Sequence, residues 1–264
     1  MHNLMGPAVF LAASLTAATS QAQYSPAPPD VGDYNIALRA SLWKLTPEQL
    51  TVSAGPGGTD LDLSSAFGFE TKWTKDMGLV LRGGNHKLRL NYLKLDYAGT
   101  ATLDQAFTFG DRGFGGTAPS STAFEWTSLR ADYEYDFVST PRGFVGVIAG
   151  VLFSRVTADI SDPIAGASMT DAQAPIPAFG GIVSVFVIPR ELSVTVEVSG
   201  IKVPDVIDRF EGKLLSIDAY ASLHFGRNFT FEAGYRSLDV TYAVEEDAGH
   251  LQLKGPYVGA SVRF

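Results

Sequence analysis

Apolar and polar side chains alternate with a period of two through most of the chain after residue 33, the pattern of strands whose two faces meet different surroundings. The clearest stretch ends at Phe137: Leu129, Ala131, Tyr133, Tyr135 and Phe137 lie on one face, and Ser128, Arg130, Asp132, Glu134 and Asp136 on the other. Ten segments read this way: 34–45, 76–82, 87–97, 123–137, 143–156, 174–188, 191–201, 213–225, 229–242 and 250–264. Short and long connections alternate between them. Gly83-Gly84-Asn85, Ser139-Thr140-Pro141-Arg142, Pro189-Arg190 and Gly226-Arg227-Asn228 carry turn chemistry, and the five other connections are longer. In the last segment the apolar parity changes between Leu253 and Val258, which predicts a bulge at Gly255-Pro256.

Such an array, with both its ends on the short-turn side, predicts an all-β fold: a closed up-and-down antiparallel transmembrane β-barrel of about ten strands. Eight or twelve also satisfy an even count, because the first long loop has room for a further pair around Leu61–Phe69. Trp43, Trp73 and Trp126 fall near the long-loop ends, and Phe137, Phe225, Phe229 and Phe264 near the short-turn ends, as two aromatic girdles would.

The start of the chain changes the picture from any barrel to an exported one. Ala8–Ala18 is an apolar run too short to span a bilayer as a helix, and Ser20-Gln21-Ala22 follows as a small-x-small cleavage site. Residues 1–22 therefore read as a signal peptide, although the n-region has no Lys or Arg. Residues 23–33 read as a Pro-rich periplasmic lead-in, and 34–264 as one barrel domain. The absence of cysteine excludes a disulfide framework and lipid attachment through cysteine. A net charge of −8 argues against nucleic acid as a partner.

Alternation places a balanced set of charges on the inner face: Arg39, Arg82, Lys87, Arg89, Arg130 and Arg236 against Asp132, Glu134, Asp136, Glu197, Asp218 and Glu232. Charges in a narrow interior are costly unless paired, so these residues are expected to form a network that either plugs the lumen or lines a narrow pore. The fifth and sixth segments depart from the pattern. Their inner face is also largely apolar or small (Gly146, Ile148, Gly150 and Leu152, then Ile176, Ala178, Gly180, Ile182 and Phe186), which fits close packing or a seat for an apolar ligand.

The segments Leu129–Phe137 and Phe231–Tyr242, with the terminal strand Tyr257–Phe264, resemble recurrent strands of small bacterial outer-membrane β-barrel proteins. That resemblance implies residence in the outer membrane of a Gram-negative-type bacterium, with both termini periplasmic. It implies lipid and lipopolysaccharide around the wall, and a monomer. It further implies insertion by periplasmic chaperones and the barrel-assembly machinery, which read Tyr257, Val262 and Phe264. It carries no catalytic residues, metal or cofactor. His250 beside Glu245, Glu246 and Asp247 is the candidate for a hydrolase. An acid–histidine pair at the mouth of a ten-stranded barrel is similar to the arrangement of omptin proteases, without a motif to extend the likeness. The expected role is a structural or narrow-pore (porin-like) outer-membrane protein. A barrel that binds or adheres through its loops is the alternative.

Overall fold

The structure, a computed structural model, describes residues 34–55, 57–115, 118–203, 210–244 and 246–264. The signal and lead-in segments expected over 1–33, and Glu245, lie outside them. The chain runs β1 (Ile36–Ser53), β2 (Leu61–Asp62), α1 (Leu63–Ala66), β3 (Lys72–Gly83), β4 (His86–Thr102), β5 (Phe107–Phe109), β6 (Arg112–Phe114) and β7 (Pro119–Thr140). It continues through β8 (Gly143–Asp162), β9 (Gly166–Ile188), β10 (Leu192–Val203), β11 (Phe210–Phe225), β12 (Phe229–Val244) and β13 (Asp247–Arg263).

Ten long strands pair in the order β1-β3-β4-β7-β8-β9-β10-β11-β12-β13, all antiparallel, and β13 pairs back with β1 to close the ring. The closing ladder runs from Ala37↔Arg263 to Ser53↔Ala248, and Phe264 N–H donates to Ile36 O. Closure leaves the barrel without an edge, as a bilayer requires of a sheet. The stretch around Leu61–Phe69 holds only the two-residue β2 and one turn of helix, so the ring has ten strands rather than twelve.

The strands are longer than the sequence pattern indicates: β3 has 12 residues and β9 has 23. A tilted strand needs only about 9–11 residues to cross a bilayer. From the short turns upward, the outer wall carries no Asp, Glu, Lys or Arg on any of the ten strands until a definite tier. Val145–Phe153, Phe179–Val187 and Leu215–Phe225 span that apolar band, and Phe137, Phe225, Phe229 and Phe264 stand exposed at its lower edge as expected. The first polar outward residue above it is Lys44, Lys75, Lys94, Thr127 or Arg155 on β1, β3, β4, β7 and β8. On β9 to β13 it is Gln173, Lys202, Lys213, Ser237 or Lys254.

At the same tier the inner face changes in the opposite sense. Below it the interior holds Arg39, Asp76, Arg89, Arg130, Asp218 and Arg236; above it come Trp43, Leu93, Trp126, Leu214, Leu238 and Leu253, all buried. The lower barrel is thus polar inside and apolar outside, and the upper barrel is an ordinary water-soluble barrel with an apolar core. The surroundings dictate the exchange: hydrocarbon tolerates only apolar side chains, whereas water favours burying them.

Two sequence expectations fall to this exchange. Trp43 and Trp126 are not girdle residues; both point inward and are fully buried, and only Trp73 is exposed. The last strand does not change faces either. Leu251, Leu253, Tyr257, Ser261 and Arg263 all face inward, and the β12–β13 register is unbroken through Gly255 and Pro256. Gly255-Pro256 interrupts only the bridges to Lys44 and Leu45, and the register shift lies on β1, between Pro47 and Gln49. The apparent parity switch was the interior turning apolar.

Two long loops fold inward over the upper mouth. The first carries β2 and α1, whose N-cap Asp62 accepts hydrogen bonds from Leu50 N–H and Ser64 N–H, each 3.1 Å. The second is the β5–β6 hairpin, with Phe107, Phe109 and Phe114 buried and the Phe107 and Phe114 rings stacked at 5.1 Å. Gly110 N–H donates to Ala54 O and Thr59 N–H to Thr108 O, both 2.9 Å, joining the loops into one cap. Leu63, Phe67 and the three hairpin phenylalanines belong to one apolar cluster with Leu95, Phe124, Ile160, Ile176 and Val240 of the wall.

Candidate functional site: the plugged lumen

Below the tier, the ion-pair network spans the interior. Lys87 on β4 reaches Glu134 at 2.5 Å and Asp136 at 2.8 Å on β7. Arg89 donates to Glu134 on the neighbouring β7 at 2.8 Å and across the lumen to Glu197 on β10 at 2.6 Å. Arg130 closes the group on Asp132 at 2.7 Å, Glu197 at 3.7 Å and Ser199 Oγ at 2.8 Å. A second group forms on the other side. Arg236 on β12 bridges Asp76 on β3 at 2.7 Å and Asp218 on β11 at 2.9 Å, and Tyr257 Oη donates to Asp218 at 2.9 Å. Arg39 pairs with Glu232 at 2.5 Å, and its guanidinium lies over the Tyr220 ring.

Eleven of the twelve inner-face charges expected from alternation are joined in these pairs. Arg82 stands apart at the short-turn rim, where its Nε donates to Gly84 O and its guanidinium lies over the Tyr34 ring. Asp76 joins the network although it is outside the set expected from the sequence, where it opens the segment 76–82. Parity would have found it, since it shares the inward face of Gly78, Val80 and Arg82. Tyr257, expected as part of an assembly signal, faces inward on Asp218, while Val262 and Phe264 face outward.

The small inner residues of β8 seat this network rather than a ligand. A Cβ on Gly146 would lie 2.7 Å from Asp136 Oδ1, and one on Gly150 would collide with Asp132 Oδ1. The neighbouring Ile148, Leu152, Ile176 and Ile182 are at most 3% exposed, so the greasy sector is close-packed. A cavity of about 70 Å³ lies at the tier, with Trp43, Trp126 and Leu238 above and Arg89, Arg130 and Arg236 below.

Of the described hydrolase candidates, His250 and Asp247 have separate partners. His250 faces outward on β13 and meets Asp239 at 3.1 Å. Asp247 serves the cap, accepting from Gly55 N–H at 3.0 Å and from Thr170 Oγ1 at 2.6 Å. His224, at the lower end of the lumen, contacts Ser193 Oγ at 3.0 Å and an Arg263 Nη2 at 2.7 Å. Among the described residues, no group of three or more His, Cys, Asp or Glu side chains is placed to hold a metal ion.

No known family profile matches the chain, and no curated protein sequence does. Solved structures do match. The outer membrane protease OmpT from Escherichia coli aligns over 87% of this chain and 97% of its own, with a TM-score of 0.53 at 11% identity. The chain folds as an outer-membrane β-barrel. At that identity the likeness is one of fold alone. Two further barrels align more loosely. The transport unit of the autotransporter AIDA-I from Escherichia coli has a TM-score of 0.43 and 6% identity over 95% of this chain and 94% of that one. Ail, the attachment invasion locus protein of Yersinia pestis, has a TM-score of 0.40 and 10% identity over 87% and 99%.

Proposed function

We propose that this chain is a closed, non-conducting barrel of the outer membrane, a structural protein that presents its upper barrel and cap to the outside. The observation that carries this reading is that the interior is filled twice: by buried ion pairs at bilayer height and by an apolar core with an inserted cap above. Small barrels fill their interiors with side chains, and a paired network of this kind resists opening because any lost partner strands a buried charge. A porin-like narrow pore, the competing reading, requires the Arg89–Glu197 and Arg236–Asp76 chords to part.

On this reading the short turns and Phe264 face the periplasm. The charged outer wall above the tier, too polar for hydrocarbon, stands in external water. Insertion by chaperones and the assembly machinery, a monomeric state and a non-catalytic role belong to the same proposal. Planar-bilayer recording of the refolded chain tests the function: a folded barrel should stay silent. Stable conductance steps whose ion selectivity changes in Glu134→Gln would overturn closure.

A further inference from the structure

The outward tier is basic on seven of its ten strands and acidic on none. Acidic residues come only one or more steps higher, and several neutralise the belt. Lys94 pairs with Glu125 at 2.8 Å, Lys254 with Glu48 at 2.8 Å, and Arg155 with Asp171 at 2.5 Å. One part of the belt is different. On four consecutive strands, β13, β1, β3 and β4, the tier residues are Lys254, Lys44, Lys75 and Lys94. The β1–β3 register sets Leu42 opposite Lys75 and Lys44 opposite Trp73, so the two central lysines are diagonal neighbours on the same exposed face. The β1–β13 register sets Lys254 opposite Thr46, diagonal to Lys44 in turn.

The flanking lysines have carboxylate partners, whereas Lys44 and Lys75 make no ion pair with a described residue. Trp73, 56% exposed, stands beside them as the chain's sole exposed indole. Diagonal neighbours on a sheet are within reach of long side chains, so one anion can bridge both ammonium groups and relieve their mutual repulsion. Height supplies the anion. These lysines sit at the upper edge of the apolar band, where lipid headgroups lie, and an ammonium binds phosphate as a point charge. An indole at this level places its ring among the headgroups.

We infer that Lys44 and Lys75, with Trp73, form a binding site for the phosphate group of a membrane lipid. The leaflet follows from the orientation proposed above, but the chemistry does not depend on it, nor on whether the lumen conducts.

The test uses the full chain refolded in neutral detergent micelles, with emission of Trp73 as readout. Trp43 and Trp126 are shielded in the interior, so subtracting the spectrum of Trp73→Phe isolates the signal. Phosphatidic acid should give a saturable change, and diacylglycerol, which lacks only the phosphate, should give none. The Lys44→Gln/Lys75→Gln variant should bind phosphatidic acid about thirtyfold more weakly, as expected for removing two surface cations. The charge-matched control Lys202→Gln/Lys213→Gln should bind like the parent. Both variants alter exposed wall positions, and folding is checked by the shift in gel migration between unheated and boiled samples. Undiminished binding in the first variant, an equal loss in the control, or the same change with diacylglycerol would overturn the site. Saturation by inorganic phosphate at the same concentration would overturn its assignment to a lipid.

Discussion

The guanidinium of Arg89 holds two carboxylates, Glu134 on the neighbouring β7 and Glu197 on β10 across the lumen, in surroundings where each is buried. Its worth lies less in the attraction it supplies than in the two uncompensated charges that its loss would leave. Arg89→Ala is therefore expected to destabilise the barrel by about 3–5 kcal/mol, the usual cost of breaking a buried pair. Lys94→Ala, which breaks an exposed pair with Glu125, should cost about 0–1 kcal/mol. Urea unfolding of the two variants in the same detergent compares them directly, and equal midpoints would contradict the plug. The pairing partners of this network were only half legible in the sequence. Alternation alone assigns a side, and it put Glu134, Glu197 and Arg236 inside correctly. Which acid meets which base depends on strand tilt and on chords across the lumen. No local pattern joins Arg236 to Asp76, 160 residues away.

Among the elements, the inserted cap departs furthest from its sequence. Residues 46–75 and 98–122 look like Gly-, Ser- and Asp-rich loops, and a period of two is hard to see there because outer polarity and inner apolarity have exchanged places. In the structure they continue β1, β4 and β7 upward and fill the mouth with Leu63, Phe109 and Phe114. Asp62 organises the first loop. Burial opposes its ionisation, but hydrogen bonds from Ser64, from Leu50 N–H and from Ser65 outweigh that and hold its carboxyl below the usual range. A carboxylate with a lowered folded-state pKa stabilises fully above its unfolded value, about 3.9, and loses that contribution as pH falls through the lower folded value. Amide exchange at Leu63–Ala66 should therefore rise only in acid below about pH 4. Asp62→Asn should abolish that pH step while leaving the ten-stranded ring intact; a step retained in the variant would assign the transition to another group.

At the scale of the whole molecule, the tier where both faces exchange character fixes where the barrel meets water. The tip of the β8–β9 hairpin, with Ile164 78% exposed, lies at the end of the barrel away from the short turns. The chain contains no cysteine, so single replacements report orientation without background. Ile164→Cys should react with a membrane-impermeant thiol reagent on intact cells. Arg142→Cys, in a short turn, should react only after the outer membrane is permeabilised. The reverse result would invert the proposed orientation and move the Lys44–Lys75 site to the inner leaflet.

A strand count of about ten, the lipid-facing side of each strand and most of the inner charge set were determined by the sequence. Each depends on a period-two pattern that a bilayer enforces from outside. The exact count of ten strands, the register in which β13 closes on β1, the chords of the ion-pair network, the inward insertion of the cap and the inward turn of Trp43 and Trp126 were decided only by the tertiary structure. The reason is physical: above the bilayer, water replaces hydrocarbon as the outer solvent. The same alternation then takes the opposite meaning, and only the assembled barrel shows at which residue that change of solvent falls.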